Sequence, residues 1–291
     1  MNYYTIKDLE TLSGIKAHTI RIWEKRYGLL VPHRTTTNIR YYSDEELKRL
    51  LNVSALVKNG FKISKVSGYD DHRIHDEVLK LSRQVTGMEN IIDQLVIHMV
   101  NFDDEQFEIL LDRQINEHGF EQVVLETVFP LFEKIGIFWQ IGSIFPAQEH
   151  FVSNLLRQRL ITEAAAYRNY QADKTVLFFL PENEMHELGL LFYNYLALKY
   201  GYKTIYLGQN VPFEDLSGLT DLTKVDYVFT AFINAIEKEE LEAYFNKLNT
   251  VFKKKKIFVT GAQVMKHEPH LPANFRTISQ VNTFKKYFLN V

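Results

Sequence analysis

From Thr175 onward, short apolar runs alternate with helix-length stretches, and no other feature of the chain limits its fold so sharply. The runs Thr175–Pro181, Thr204–Leu207, Tyr227–Phe232 and Ile257–Thr260 are separated by helical patterns at His186–Tyr200, Phe213–Leu222 and Lys238–Phe252. Strands that alternate with helices do not pair as hairpins. Each crossover helix carries the chain back, so the strands run parallel and helices cover both faces. A short fifth strand at Arg276–Ser279 and a terminal helix at Val281–Leu289 complete the pattern, which predicts an α/β flavodoxin-like domain over 173–291. Sheets of this kind bind ligands outside the carboxyl ends of their strands. The loop after the first run, Glu184-Met185-His186-Glu187-Leu188-Gly189, puts His186 at that edge. Gly-x-Gly-x-x-Gly occurs nowhere, which excludes the usual dinucleotide fingerprint.

With 291 residues, 46% of them hydrophobic, the chain is long enough for two or three domains. No apolar stretch approaches a membrane span, and the start Met1-Asn2-Tyr3-Tyr4-Thr5-Ile6-Lys7 has no signal-peptide core, so a cytoplasmic protein with no membrane association is expected. Zero cysteines exclude disulfides, thiolate metal sites and thiol nucleophiles, leaving histidine and carboxylate as ligands. The net charge of −2 conceals an asymmetry: residues 1–68 carry twelve Lys/Arg against six Asp/Glu. A polyanion partner is therefore expected at the amino-terminal end.

That end reads as a winged helix-turn-helix over 1–70. Tyr4–Leu12 has helical spacing, Ser13-Gly14 breaks it, and a second helix starts at His18 and runs to Arg26. Ile20 and Trp23 can face inward while His18, Thr19, Arg21 and Lys25 are offered to a DNA groove, with Arg21 the principal contact. Pro32–Tyr42 turns like a β-ribbon whose Arg34, Arg40 and Tyr42 are candidate DNA contacts. Ser43-Asp44-Glu45-Glu46 is a capping box for a helix over Leu47–Lys58. The string Thr19-Ile20-Arg21-Ile22-Trp23-Glu24-Lys25-Arg26-Tyr27-Gly28-Leu29-Leu30, followed by an Arg-x-Tyr wing, resembles the MerR family of bacterial transcriptional regulators. The resemblance covers about the first seventy residues and implies a double-stranded DNA operator bound by paired heads. Asn38 stands where many members have glycine in the wing turn, and asparagine also tolerates positive φ.

Ser67–His72 reads as a linker, after which four helical segments are predicted at Asp76–Met99, Asp103–His118, Phe120–Trp139 and Pro146–Tyr170. They predict a four-helix bundle over 76–171. Between the last two lies Trp139, then, after nine residues, Glu149-His150. On its own this is read as a core tryptophan and a helix cap, or as a flat indole with a carboxylate and an imidazole beside it for a nucleoside.

Together with the Glu-x-His-x-x-Gly loop, this spacing resembles the cobalamin-binding photoreceptor repressors of the CarH/LitR type. The resemblance implies adenosylcobalamin as cofactor, with Trp139, Glu149 and His150 on its upper face and His186 as the lower cobalt ligand, oriented by Glu184. It also implies Gly189 in the loop motif, Thr230 at the nucleotide tail, and Gly261-Ala262 where the family has Gly-Gly. Gln140 follows Trp139 where light sensors of this type carry histidine, a departure that puts the light response in doubt. The function implied is a non-enzymatic repressor, a dimer or tetramer, controlled by adenosylcobalamin and by light. Two alternatives remain open: a MerR-type regulator that has lost cobalamin and answers to a protein partner, and a corrinoid-carrier methyltransferase module.

Overall fold

The computed structural model describes residues 4–34, 40–82, 88–140, 144, 146–222 and 224–289. The chain divides into two compact units, 1–153 and 154–291.

In the first unit, helix α1 (Ile6–Ser13) starts at a Thr5/Asp8 capping box and stops at Gly14, whose φ of 69° is left-handed. Helix α2 (Ala17–Tyr27) stops at Gly28 in the same way. Strands β1 (His33–Arg34) and β2 (Arg40–Tyr41) pair antiparallel as the wing. Helix α3 (Asp44–Lys58) opens on the Ser43/Glu46 box read from the sequence. Ile20 and Trp23 of α2 are buried, together with Leu9, Leu12, Leu47 and Leu50 from the flanking helices.

One expectation changes in the next stretch. A short helix, α4 (Ile63–Val66), precedes the predicted linker, and α5 (Asp71–Ser82) starts inside it. The break is no loose tether, because Tyr69 is buried and its carbonyl accepts Arg49 Nη2 at 3.0 Å. Of the helix expected over Asp76–Met99, the described residues are helical up to Ser82 in α5 and again in α6 (Met88–Asn101), and 83–87 lie outside the described residues. Helix α7 (Asp104–His118) is capped by Asp103. Beyond it, α8 (Phe120–Val123), a π-helical turn (Val124–Val128) and α9 (Phe129–Gln140) form one continuous run. Pro130 lacks an N–H and would press on the carbonyl four residues back, and the wider turn just before it relieves both defects. Helix α10 (Pro146–Ala165) ends five residues earlier than the predicted Tyr170.

Among the described residues the second unit holds five parallel strands in the order β4-β3-β5-β6-β7. They are β3 (Thr175–Pro181), β4 (Lys203–Val211), β5 (Tyr227–Ala231), β6 (Lys256–Thr260) and β7 (Phe275–Thr277). Between and after them run α11 (Glu187–Lys199), α12 (Phe213–Leu222), α13 (Lys238–Val251), α14 (Ala262–His267) and α15 (Val281–Phe288). Alternation divides the sheet's side chains. Leu177, Phe179, Val228, Ile257 and Val259 join a core with Leu216 of α12 and Leu241, Phe245 and Leu248 of α13. Phe178 and Phe229 point the other way, where Phe229 lies 4.7 Å from the Tyr193 ring of α11 and 5.7 Å from Phe284 of α15. Each such phenylalanine contributes about 2 kcal/mol by burial. The order is that of a flavodoxin-like sheet, with its direction of winding reversing between β3 and β5. Among the described residues no helix is long and apolar enough to cross a membrane.

Candidate functional site

The crevice where the winding reverses opens between the carboxyl ends of β3 and β5, and Glu184 bridges it. After β3, a turn from Pro181 to Glu184 passes through Asn183 at a φ of 66° and delivers Glu184 inward. One carboxylate oxygen of Glu184 accepts the amides of Ile233 and Asn234, beyond β5, at 2.7 Å each. The other meets His186 Nδ1 at 2.6 Å. Burial pushes the Glu184 carboxyl up, but the His186 ring and the amides of Asn234, Ile233 and His186 outweigh it and hold the group down to about 2. The carboxylate stays ionised and favours a proton on Nδ1, an arrangement in which the neutral ring turns its lone pair out at Nε2. Glu184 is buried and His186, at the mouth of α11, is exposed.

Three asparagines missed in the sequence reading complete the loop. Asn210 Oδ1 accepts the Asn183 amide at 2.8 Å, and Asn234 Nδ2 donates to the Asn183 carbonyl at 2.7 Å. The only sequence signal was asparagine just after β3 and β5 and near the end of β4, and Asn183 and Asn210 adopt positive φ. Glu187 was also passed over as a variable motif position. It is buried, bound by Arg157 Nε at 2.5 Å and by the Tyr206 hydroxyl at 3.0 Å, and so anchors the first turn of α11 directly after His186. Burial, then the Glu187 charge, pushes the Tyr206 hydroxyl well up.

Thr230 is fully buried in β5, between Phe179 and Val259, and its hydroxyl finds no hydrogen-bond partner among the described residues. Gly261 has a φ of 107°, and a side chain there would meet the Phe232 carbonyl oxygen at 2.3 Å. The missing side chain read as room for a cofactor tail is thus required by the protein's own backbone. Ala262, the next residue, is exposed at the start of α14, and Gly189 lies half-buried in α11. Among the described residues no three His, Asp or Glu side chains gather to hold a metal ion. A lone oriented imidazole suits a metal already enclosed by a macrocycle, and a buried orphan hydroxyl suits a ligand that enters the sheet edge; both fit a corrinoid.

In the first unit, Glu149 Oε2 lies 3.1 Å from His150 Nδ1 in the first turn of α10, and Ser153 Oγ donates to Glu149 Oε1. Trp139 and Gln140 close α9 by their backbone; their side chains lie outside the described residues.

The DNA-facing candidates fall on one helix and the wing. His18, Arg21 and Lys25 are exposed on α2, Thr19 is half-buried, and Arg34 is exposed on β1. Arg40 Nε meets Glu24 Oε1 at 3.3 Å. Tyr42 departs from expectation: it is fully buried, bridged backbone to backbone with Tyr4, and its hydroxyl donates to Glu24 Oε2 at 3.0 Å. It is a core anchor of the wing, unable to reach a duplex. Asn38 and the wing turn lie outside the described residues.

A winged helix-turn-helix head, a helical region and a parallel α/β sheet are arranged as in proteins that join a MerR-type DNA-binding region to a B12-binding module, and two stretches of the chain match those two families. Residues 4–72 match the family described as MerR HTH family regulatory protein, and residues 91–162 match the B12 binding domain. The chain is homologous to the HTH-type transcriptional repressor CarH of Myxococcus xanthus, 27% identical over 91% of this chain and 91% of that protein. CarA, an HTH-type transcriptional repressor of the same organism, is 27% identical over 81% of this chain and 78% of its own length. The regulator MlrA of Escherichia coli (strain K12) is 38% identical over 23% of this chain and 27% of its own length. In fold, the Methanosarcina barkeri monomethylamine corrinoid protein superposes with a TM-score of 0.55 at 13% identity, over 70% of this chain and 99% of that one.

Proposed function

We propose that this chain is a DNA-binding transcriptional repressor, not an enzyme, whose affinity for its operator is set by adenosylcobalamin. The observation that carries the reading is the Glu184–His186 pair spanning the reversal crevice on a chain that also bears a MerR-type head. When bound, the cobalamin would supply a cobalt centre that takes an imidazole ligand and a light-sensitive cobalt–carbon bond. His186 would hold the cobalt through Nε2, Glu184 orients the ring, and the Arg157–Glu187–Tyr206 set keeps the start of α11 from shifting. Thr230 would hydrogen-bond the nucleotide tail, and Trp139, Glu149 and His150 would recognise the adenosyl group. Arg21, with His18 and Lys25, would enter the DNA groove, Arg34 and Arg40 would hold phosphates, and two or four copies together would engage neighbouring half-sites.

A second reading has two observations in its favour. The Phe232 backbone closes on Gly261 and the Thr230 hydroxyl is sealed, as in a regulator that has lost cobalamin and answers to a protein partner. One experiment separates the two: the protein is purified with adenosylcobalamin and its absorbance spectrum and operator gel shift are recorded before and after green light. Retained cofactor with cofactor-dependent DNA binding is expected. Absence of any retained corrinoid sinks the cobalamin reading, and a gel shift indifferent to illumination removes light from it, in keeping with Gln140.

A further inference from the structure

Because the five strands of the second unit are parallel, all of them start at one edge of the sheet and finish at the other, and charge is sorted between those edges. Glu182, Glu184, Glu214, Asp215 and Glu237 follow the strands at the carboxyl edge. At the amino edge, Lys174 precedes β3, Lys203 opens β4, Lys224 precedes β5, and Lys253, Lys254 and Lys256 lead into β6. The acids in the short segments entering these four strands are Asp173 and Asp226, and Asp226 is engaged by the Thr175 amide at 2.8 Å. Lys203, Lys253, Lys254 and Lys256 are exposed and make no ion pair among the described residues. Lys174 and Lys224 are tied down, one over the Tyr227 ring and one on the Asp173 carbonyl at 3.3 Å.

Four neighbouring strands at about 4.8 Å spacing make this row of cations roughly 15 Å long. Duplex DNA carries about one negative charge per 1.7 Å of its axis, or about nine over that length. Crowded like charges on a folded surface repel each other unless a counter-charge is supplied. We propose that the amino edge of the sheet is a second polyanion-binding face, which lies against the sugar-phosphate backbone of duplex DNA. It presents flexible lysines and no bidentate group aimed at a base edge, so it adds affinity and salt dependence without sequence discrimination. The proposal rests on the DNA-binding reading given above.

The test uses the full chain and a labelled duplex of arbitrary sequence, titrated by fluorescence anisotropy over a series of salt concentrations. Three proteins are compared with the unaltered one: Arg21→Ala in the head, K253A/K254A/K256A at the sheet edge, and the charge-keeping K253R/K254R/K256R. Loss of three phosphate contacts flattens the plot of log K against log salt by about 2 to 3, at about 0.9 per contact. The alanine triple is expected to bind at least tenfold more weakly at low salt with an unchanged melting temperature, and the arginine triple to bind normally. Affinity and slope unchanged in the alanine triple overturn the proposal. So does an altered sedimentation coefficient with an unchanged DNA slope, which assigns the edge to protein contacts. Failure of the head reading looks different: Arg21→Ala then binds like the unaltered chain, whatever the triple does.

Discussion

The Glu184 carboxylate meets His186 Nδ1 at 2.6 Å with one oxygen and the amides of Ile233 and Asn234 at 2.7 Å with the other, so one side chain ties the loop after β3 to the loop after β5. The imidazole is thereby held in orientation, with one tautomer favoured, at the point where the sheet reverses direction. An exposed loop histidine without such a tether loses rotamer freedom when it takes up a ligand, and part of the binding free energy is spent on that ordering.

His186→Ala is expected to abolish imidazole-ligated cobalamin binding, and Glu184→Gln to weaken it by about 10- to 100-fold while leaving the imidazole in place. The glutamine amide must turn its NH2 either to the ring or to the two backbone amides, so one side of the bridge is lost. An absorbance titration with adenosylcobalamin measures both. Equal affinity in His186→Ala and the unaltered chain would remove this histidine from the site.

Arg21→Ala is expected to weaken operator binding at least tenfold with cofactor uptake unchanged, whereas Tyr42→Phe should leave DNA affinity alone. The tyrosine hydroxyl donates to Glu24 Oε2 at 3.0 Å inside the wing, and its removal is expected to cost about 1 kcal/mol of stability. Gel shifts and urea unfolding on the two variants separate a groove contact from a core anchor. A Tyr42→Phe protein of normal stability and impaired DNA binding would reverse the assignment.

Tyr42 shows what kind of information a sequence withholds. The Arg-x-Tyr wing spacing was readable, but Tyr42 sits just past the two-residue β2 on an isolated bridge to Tyr4, and so short a stretch has too little alternation to tell an inward side chain from an outward one. Longer patterns were legible almost to the residue: β3 coincides with the apolar run Thr175–Pro181, and α12 with Phe213–Leu222. The four-residue α4 and six-residue α14 were not, since neither completes two turns of apolar periodicity. At the candidate site, His186 and Glu184 were legible because a motif contains them. Arg157, Tyr206, Asn210 and Asn234 were not, because they reach the loop from other elements only after the sheet has formed.

Asp93 on α6 joins Lys58 at the end of α3, 2.7 Å away, to Lys134 on α9. Burial pushes its carboxyl up, but the two ammonium groups outweigh that and hold it below the ordinary value. A carboxylate lowered in the folded state stabilises fully above its unfolded pKa of about 3.9, and the contribution is lost as pH falls below it. Asp93→Asn should therefore cost about 1 to 2 kcal/mol at pH 7, between the ranges for exposed and buried pairs, and progressively less below about pH 4. Urea unfolding at neutral and acid pH checks this; the same gap at both would mean that charge is not what Asp93 contributes.

Thr230 and Gly261 face the same question from opposite directions, and a pair of variants answers it. At Gly261 the φ of 107° and the Phe232 carbonyl oxygen 2.3 Å from any added side chain leave no room, so Gly261→Ala is expected to cost about 2 kcal/mol or more with or without cofactor. At Thr230 the buried hydroxyl has no partner among the described residues, and Thr230→Val keeps the shape while removing an unsatisfied polar group. It should therefore raise the stability of the cofactor-free protein by up to about 1 kcal/mol. If the hydroxyl is retained for a nucleotide tail, the same variant binds cobalamin more weakly, a gain in stability with a loss of function. Thermal unfolding without cofactor, set beside an absorbance titration with it, measures the two effects separately. A Thr230→Val protein that gains stability and binds cobalamin unchanged would take Thr230 out of the site and leave Gly261 as backbone geometry alone.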